Sequence, residues 1–208
     1  MRYTFFIILA LNFNLIFGQN DPYIDMKYYK KGMIMMDSSK YENALNWFDK
    51  AIAFNPGSTL YYYQRGRAYY NLNKYDYAIK DFSYCSSIIQ DESEYYYLIG
   101  LCFEKQKDLE NALSNLNQAL KIDSSEIKFL KCRANIFYKL GSFQNAILDY
   151  NKILRMNPND GFSYFYRGVS KYKLNEKELA CDDWYKAIEN SYSKAFEYIE
   201  KNCKKRDK

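Results

Sequence analysis

Residues 41–52 read Tyr-Glu-Asn-Ala-Leu-Asn-Trp-Phe-Asp-Lys-Ala-Ile, and Tyr41, Ala44, Leu45, Phe48, Ala51 and Ile52 recur at intervals of three and four. That spacing puts them on one face of a helix. The alanine then recurs far beyond this stretch. Ala78, Ala112, Ala146 and Ala180 each follow the previous alanine by thirty-four residues. Other positions keep step. Glycine or alanine stands at Gly32, Gly66, Gly100, Ala134 and Gly168, with a bulky residue four earlier at Tyr28, Tyr62, Tyr96, Leu130 and Tyr164. A large ring or leucine follows each alanine by four, at Phe48, Phe82, Leu116, Tyr150 and Trp184. A mostly small residue follows three later, at Ala51, Cys85, Ala119, Ile153 and Ala187. A fixed period of this size, without insertion or deletion, means a stacked repeat array.

Each copy divides into two helices. In the first, Tyr28, Gly32 and Met35 follow helical spacing until Asp37-Ser38-Ser39-Lys40 interrupts it with turn-forming residues. The Tyr41–Ile52 face follows, and Asn55-Pro56-Gly57-Ser58 closes it, because a proline disfavours helical geometry in the residue before it. Small residues at the eighth and twentieth positions would let two backbones approach, with rings filling the space beside them. Five copies are expected at residues 25–58, 59–92, 93–126, 127–160 and 161–194. Ala195, Phe196, Ile199 and Cys203 then recur at helical spacing, which predicts a helix capping the open end of the array before a basic tail that runs to residue 208. The fold class expected is all-α: a right-handed superhelical solenoid of five tandem helix-turn-helix repeats plus that cap.

The start of the chain reads differently. Met1-Arg2 is followed by a largely apolar run to Phe17, broken by Asn12 and Asn14. It falls short of the roughly 20 apolar residues that a membrane span requires. It matches a secretory signal peptide over residues 1–18, with residues 19–24 as a linker; the alternative is an uncleaved membrane anchor. Either reading places the repeats outside the cytoplasm, periplasmic or secreted.

Composition removes several function classes. The chain has no histidine, which excludes the commonest general base and neutral metal ligand. Its five cysteines contain no CxxC pair, so no zinc knuckle is expected. The net charge of +5 comes largely from the C-terminal end, and acidic residues interrupt any basic stripe along the body. Nucleic acid is therefore not an expected partner. No catalytic residue, metal or cofactor is expected.

The repeat pattern resembles the tetratricopeptide repeat family, in an exported bacterial-type form. The family's motif positions read Tyr28, Lys31-Gly32, Met35, Ala44, Phe48, Ala51 and Pro56 in copy one. They read Leu130, Arg133-Ala134, Phe137, Ala146, Tyr150, Ile153 and Pro158 in copy four. Copies two, three and five lack the closing proline, and Lys171 replaces the aromatic of the eleventh position. The resemblance implies a concave face lined by the first helices. Along it, Tyr29, Met33, Tyr63, Arg67, Tyr70, Tyr97, Lys131, Asn135 and Phe165 are the candidate partner-binding residues. The face should be aromatic and methionine-rich at its ends, with a basic stretch at copy four. The function implied is a non-catalytic scaffold for a peptide or protein. The alternatives are a small-ligand binder and an envelope-assembly accessory.

Export would permit disulfides. Cys181 follows the copy-five alanine, and Cys203 lies on the helix expected to pack there. A bridge between them would cap the array, and the closing segments of many exported tetratricopeptide proteins resemble this arrangement. Closing that loop would stabilise the fold by about 3 kcal/mol. The alternative is two buried free thiols. Cys85, Cys102 and Cys132 read as small core residues.

Overall fold

The computed structural model describes residues 23–203. The signal segment, most of the linker and the basic tail beyond Cys203 lie outside the described residues. Every regular element described is an α-helix. The first five are α1 (Ile24–Asp37), α2 (Tyr41–Phe54), α3 (Thr59–Asn71), α4 (Tyr75–Ile88) and α5 (Ser93–Lys105). Then come α6 (Leu109–Ile122), α7 (Ile127–Lys139), α8 (Phe143–Met156), α9 (Gly161–Lys173), α10 (Lys177–Glu189) and α11 (Ala195–Asn202). None is long and apolar enough to cross a membrane. The chain forms two compact units, dividing after Cys85 within the last turn of α4.

In both units the helices pack as antiparallel hairpins, and the periodic small residues sit where the two members cross. Ala44, Ala78, Ala112, Ala146 and Ala180 are all completely buried. In copies one, two, three and five the glycine of the first helix faces the ring or leucine of the second. A Cβ added to Gly66 would come within 2.7 Å of the Phe82 ring, and one added to Gly168 within 2.7 Å of Trp184 and 3.0 Å of the Ala180 carbonyl. At Gly100 the nearest atoms are Leu116 Cγ at 3.1 Å and the Ala112 carbonyl at 3.3 Å. The missing side chain is therefore the space that the large residue occupies.

The bend inside each hairpin has a common construction. Ser39, Asn73, Lys107, Gly141 and Asn175 all adopt positive φ, between 55° and 74°. Each stands at the fifteenth position of its copy. The next residue's amide reaches back to a first-helix carbonyl, as in Lys40 N to Met35 O at 2.8 Å and Ser142 N to Phe137 O at 2.8 Å. This left-handed closure caps orphan carbonyls at the helix end. Only one of the five copies supplies the glycine that such a bend favours.

The first unit buries Ala44, Leu45, Phe48 and Ala68 as a cluster, with Tyr29, Met33, Met35 and Met36 packed against it. The second holds a larger core, in which Phe129, Leu130, Ala134, Ala146, Tyr150 and Ile153 form one cluster. Phe165, Ala180, Trp184 and Ala187 form another beneath α11. The cap differs from expectation in one residue. Phe196 is 57% exposed, while Tyr198 packs edge-on against Phe165 and Trp184, with ring centroids at 4.9 and 5.2 Å. The inward stripe of α11 starts at the buried Ala195 and continues three and four residues on, through Tyr198 and Ile199, so Phe196 points away.

Cys181 and Cys203 are joined as a disulfide, with Cα atoms 5.8 Å apart. The other three cysteines are free thiols. Burial pushes the thiols of Cys85, Cys102 and Cys132 up to about 12, well above the range in which a thiolate forms at neutral pH.

Two measurements test this packing. Ala112→Leu, which overfills a completely buried crossing point, should lower stability by roughly 1–3 kcal/mol in a denaturant titration; an unchanged midpoint would contradict the crossing geometry. Alkylation without reductant at pH 8 should leave the native protein nearly unmodified. It should add three labels on denaturation, matching the three free thiols, and five after reduction, matching the full cysteine count.

Candidate functional site

In the first unit the candidate face consists of the outer sides of α1 and α3. Tyr29 and Met33 on α1 are half-buried, and Tyr29 leans on Tyr61 of α3 with ring centroids 5.4 Å apart. Tyr61 itself is 2% exposed, and its hydroxyl donates to Asp25 Oδ2 at 2.9 Å. Asp25 also accepts from Asn55 Nδ2 at 3.0 Å, so three helical segments meet at one carboxylate. Tyr63 and Tyr70 on α3 are half-buried too. Tyr63 packs on Phe82 and Tyr70 lies edge-on to Tyr75. Arg67 is exposed; its Nη1 donates to Gln64 Oε1 at 3.0 Å and its guanidinium lies 5.8 Å from the Tyr63 ring centroid. Tyr29, Met33, Tyr63, Arg67 and Tyr70 thus share a surface of tyrosine edges with one accessible guanidinium.

In the second unit the face runs over α5, α7 and α9. Tyr97 stacks on Phe129 at 4.8 Å, and the Lys128 ammonium sits 5.5 Å from its ring centroid. The basic stretch expected at copy four is neutralised from within. Lys128 pairs with Glu94 at 2.7 Å, Lys131 with Asp160 at 2.6 Å, and Lys139 with Glu104 at 2.6 Å. Asn135 donates to the same Glu104 at 2.8 Å. Asn135 therefore stitches copy four to copy three, while Lys131 is tied to the closing end of its own copy, which sequence spacing alone did not reveal because the acidic partners lie on other helices or turns. Phe165 is a clear correction. It is 1% exposed, enclosed by Tyr166, Tyr192 and Tyr198, because α11 and the preceding turn cover the position that is open in an uncapped copy.

Toward α11 the same face becomes concave. A cavity of about 300 Å³ opens between Tyr138 of α7, Val169 and Tyr172 of α9, and Tyr198 of α11. Among the described residues no group of three or more Cys, Asp or Glu side chains is arranged to hold a metal.

Two family models match. One, described as Tetratricopeptide repeat, covers residues 127–160. The other, described as Anaphase-promoting complex, cyclosome, subunit 3, covers residues 37–119. The first of these matches spans the whole fourth copy, and together they support the tetratricopeptide repeat resemblance. No curated protein matches the sequence. Solved structures share the fold at low identity. The MamA crystal structure is 18% identical, with a TM-score of 0.73 over 79% of this chain and 96% of that one. MamA from Desulfovibrio magneticus RS-1 is 17% identical, with a TM-score of 0.76 over 84% and 97%. YrrB, described as a TPR protein with an unusual peptide-binding site, is 18% identical, with a TM-score of 0.73 over 86% and 94%.

The seventh position of the copies carries a feature that the motif does not include. At the seventh position of copies two, four and five an arginine replaces the motif's leucine. Arg65 holds Asp81 through Nε and Nη2 at 2.9 and 2.7 Å, and Asp49 through Nη1 at 2.7 Å. Arg133 repeats the fork on Asp149 at 2.9 and 2.7 Å and reaches Asn117 at 2.9 Å. Arg167 does the same with Asp183 and Asn151. Each guanidinium thereby ties the second helix of its own copy to the second helix of the copy before, sixteen residues away on either side. Burial alone would lower the Arg65 guanidinium, but its hydrogen bonds to Asp81 and Asp49 carry it upward. Burial raises the Asp81 carboxyl, and Arg65 offsets this only in part. The bidentate fork is thus a geometric latch more than a source of net stability. The signal was present in the sequence: Arg and Asp occur together, sixteen apart, in copies two, four and five. Copy three instead places Ile99 opposite Asn115, and copy one places Lys31 over Trp47 at 4.5 Å.

Removing one partner should expose the latch. Arg133→Ala leaves Asp149, 5% exposed, without its counter-charge. It should cost about 3 kcal/mol, whereas Arg133→Met combined with Asp149→Leu should recover most of that loss. Chemical denaturation of the three proteins reads both effects, and an equal loss in single and double variants would contradict the latch.

Proposed function

We propose that the protein is a non-catalytic scaffold that holds a peptide or protein partner on the accessible faces of its first helices. The observation that carries this reading is the character of those faces. They present half-buried tyrosine rings, at Tyr29, Tyr63, Tyr70 and Tyr97, fixed by packing on rings behind them. Rings already ordered lose little freedom when a partner covers them. Tyr and Arg are enriched at interfaces for that reason. Repeat scaffolds bind through such surfaces, and YrrB, which shares the fold, is described with a peptide-binding site.

We place the scaffold outside the cytoplasm, periplasmic or secreted. Two features support this: the apolar segment between Met1-Arg2 and Phe17, and the Cys181–Cys203 disulfide. Such bonds persist in oxidising compartments. An envelope-assembly role would fit the same compartment and the same surface.

Affinity capture from the extracytoplasmic fraction tests the reading. Arg67→Glu in the first unit and Tyr97→Ala in the second should each reduce recovery of a specific partner by roughly tenfold, the loss expected for one interface anchor. Circular dichroism should show both variants folded. Equal recovery of every partner by wild type and both variants would place the interface elsewhere.

A further inference from the structure

The lysines of the second unit fall into two groups. Lys128, Lys131 and Lys139 each hold a carboxylate of this chain within 2.7 Å. Lys173, at the end of α9, and Lys201, on α11, are exposed and form no ion pair among the described residues. These two ammonium groups flank the same cavity of about 300 Å³. Its walls are aromatic. Tyr138 and Tyr172 form one side, Tyr198 stands opposite, and Val169 lies at the base, 8% exposed. Trp184 backs the wall, with Tyr172 tilted against it at 5.6 Å between ring centroids, and its indole N–H donates to the Phe165 carbonyl at 3.3 Å. The size is at the small end for ligand pockets, right for one large side chain and too small for a cofactor. Glu197 on the rim is the one carboxylate there, so the two lysines leave a net positive edge.

We propose that this cavity receives a single aromatic side chain from an acidic peptide, with the peptide's carboxylates meeting Lys173 and Lys201. The inference rests on the reading of the protein as a peptide-binding scaffold and names the chemistry of what it binds. An aromatic ring entering the cavity exchanges water for Tyr, Val and Trp surfaces. Carboxylates beside it find two ammonium groups that form no ion pair among the described residues, while a basic peptide meets repulsion. The wall contributed by α11 is held in place by the Cys181–Cys203 disulfide one turn beyond Tyr198, with Asn202 and Cys203 closing the helix.

The test uses the full chain and a dye-labelled peptide with one phenylalanine flanked by four glutamates, followed by fluorescence anisotropy at low ionic strength. Two controls replace the phenylalanine by alanine, or the glutamates by lysines. The phenylalanine peptide should bind roughly tenfold or more tightly than the alanine peptide, and the lysine peptide should not bind. The double variant K173E/K201E alters only exposed side chains, so its melting temperature should stay unchanged while its affinity falls by roughly tenfold. Equal affinity for the phenylalanine and alanine peptides, or an undiminished affinity in K173E/K201E, would overturn the proposal. If that happens while Arg67→Glu or Tyr97→Ala still reduces partner capture, the scaffold reading stands and only the cavity assignment is lost.

Discussion

The structure depends on a steric exchange inside each hairpin: one helix gives up a side chain so that the other can insert a large one. Gly66 admits Phe82, Gly100 admits Leu116 and Gly168 admits Trp184. Because the glycine and its partner sit on consecutive helices, the crossing point is set by residues of one copy. The buried alanine of the second helix keeps the backbones close on the same axis. Interiors packed this tightly tolerate neither a cavity nor an added methyl group cheaply. The recurrence of small and large residues at these positions in all five copies is therefore the condition for stacking.

Most of the fold was legible because that exchange is a periodic one. Small and large residues at fixed offsets reveal it directly, and the turns declare themselves through Asp37–Lys40 and its counterparts. What was not legible has a common physical origin. Glu104 reaches Lys139 and Asn135 across copies, and Asp160 reaches Lys131 from the far end of the same copy. A reading of one helix face at a time counts the lysines and not the carboxylates that neutralise them. Phe165 was misplaced for a related reason: the position is open in an internal copy, but here it lies under Tyr192 and Tyr198. The last copy is the one whose environment the repeat cannot describe. Phe196 shows the finer limit, since both it and Tyr198 are apolar aromatics, and only the start of the helix at Ala195 decides which faces inward.

The arginine latch adds order of a different kind. Apolar stacking is non-directional, and surfaces of alanine, leucine and tyrosine can slide by a helical turn without great loss. A planar guanidinium held by a carboxylate on one side and an amide or carboxylate on the other cannot. Arg65, Arg133 and Arg167 therefore specify register within each unit. Buried polar groups commonly act this way, trading stability for a single arrangement. The surface left for a partner is the one that the latch does not use.

The left-handed residue at the fifteenth position has a further meaning. Ser39 and Lys107 occupy a conformation that costs a side-chain-bearing residue about 1 kcal/mol, yet their bends match the one built on Gly141. Handedness at these corners is thus imposed by the helices that meet there, and the corner residue merely complies. Corners of this sort behave as standard joints. The second helix of each copy leaves the first through the same closure, whether serine, asparagine, lysine or glycine stands at the bend.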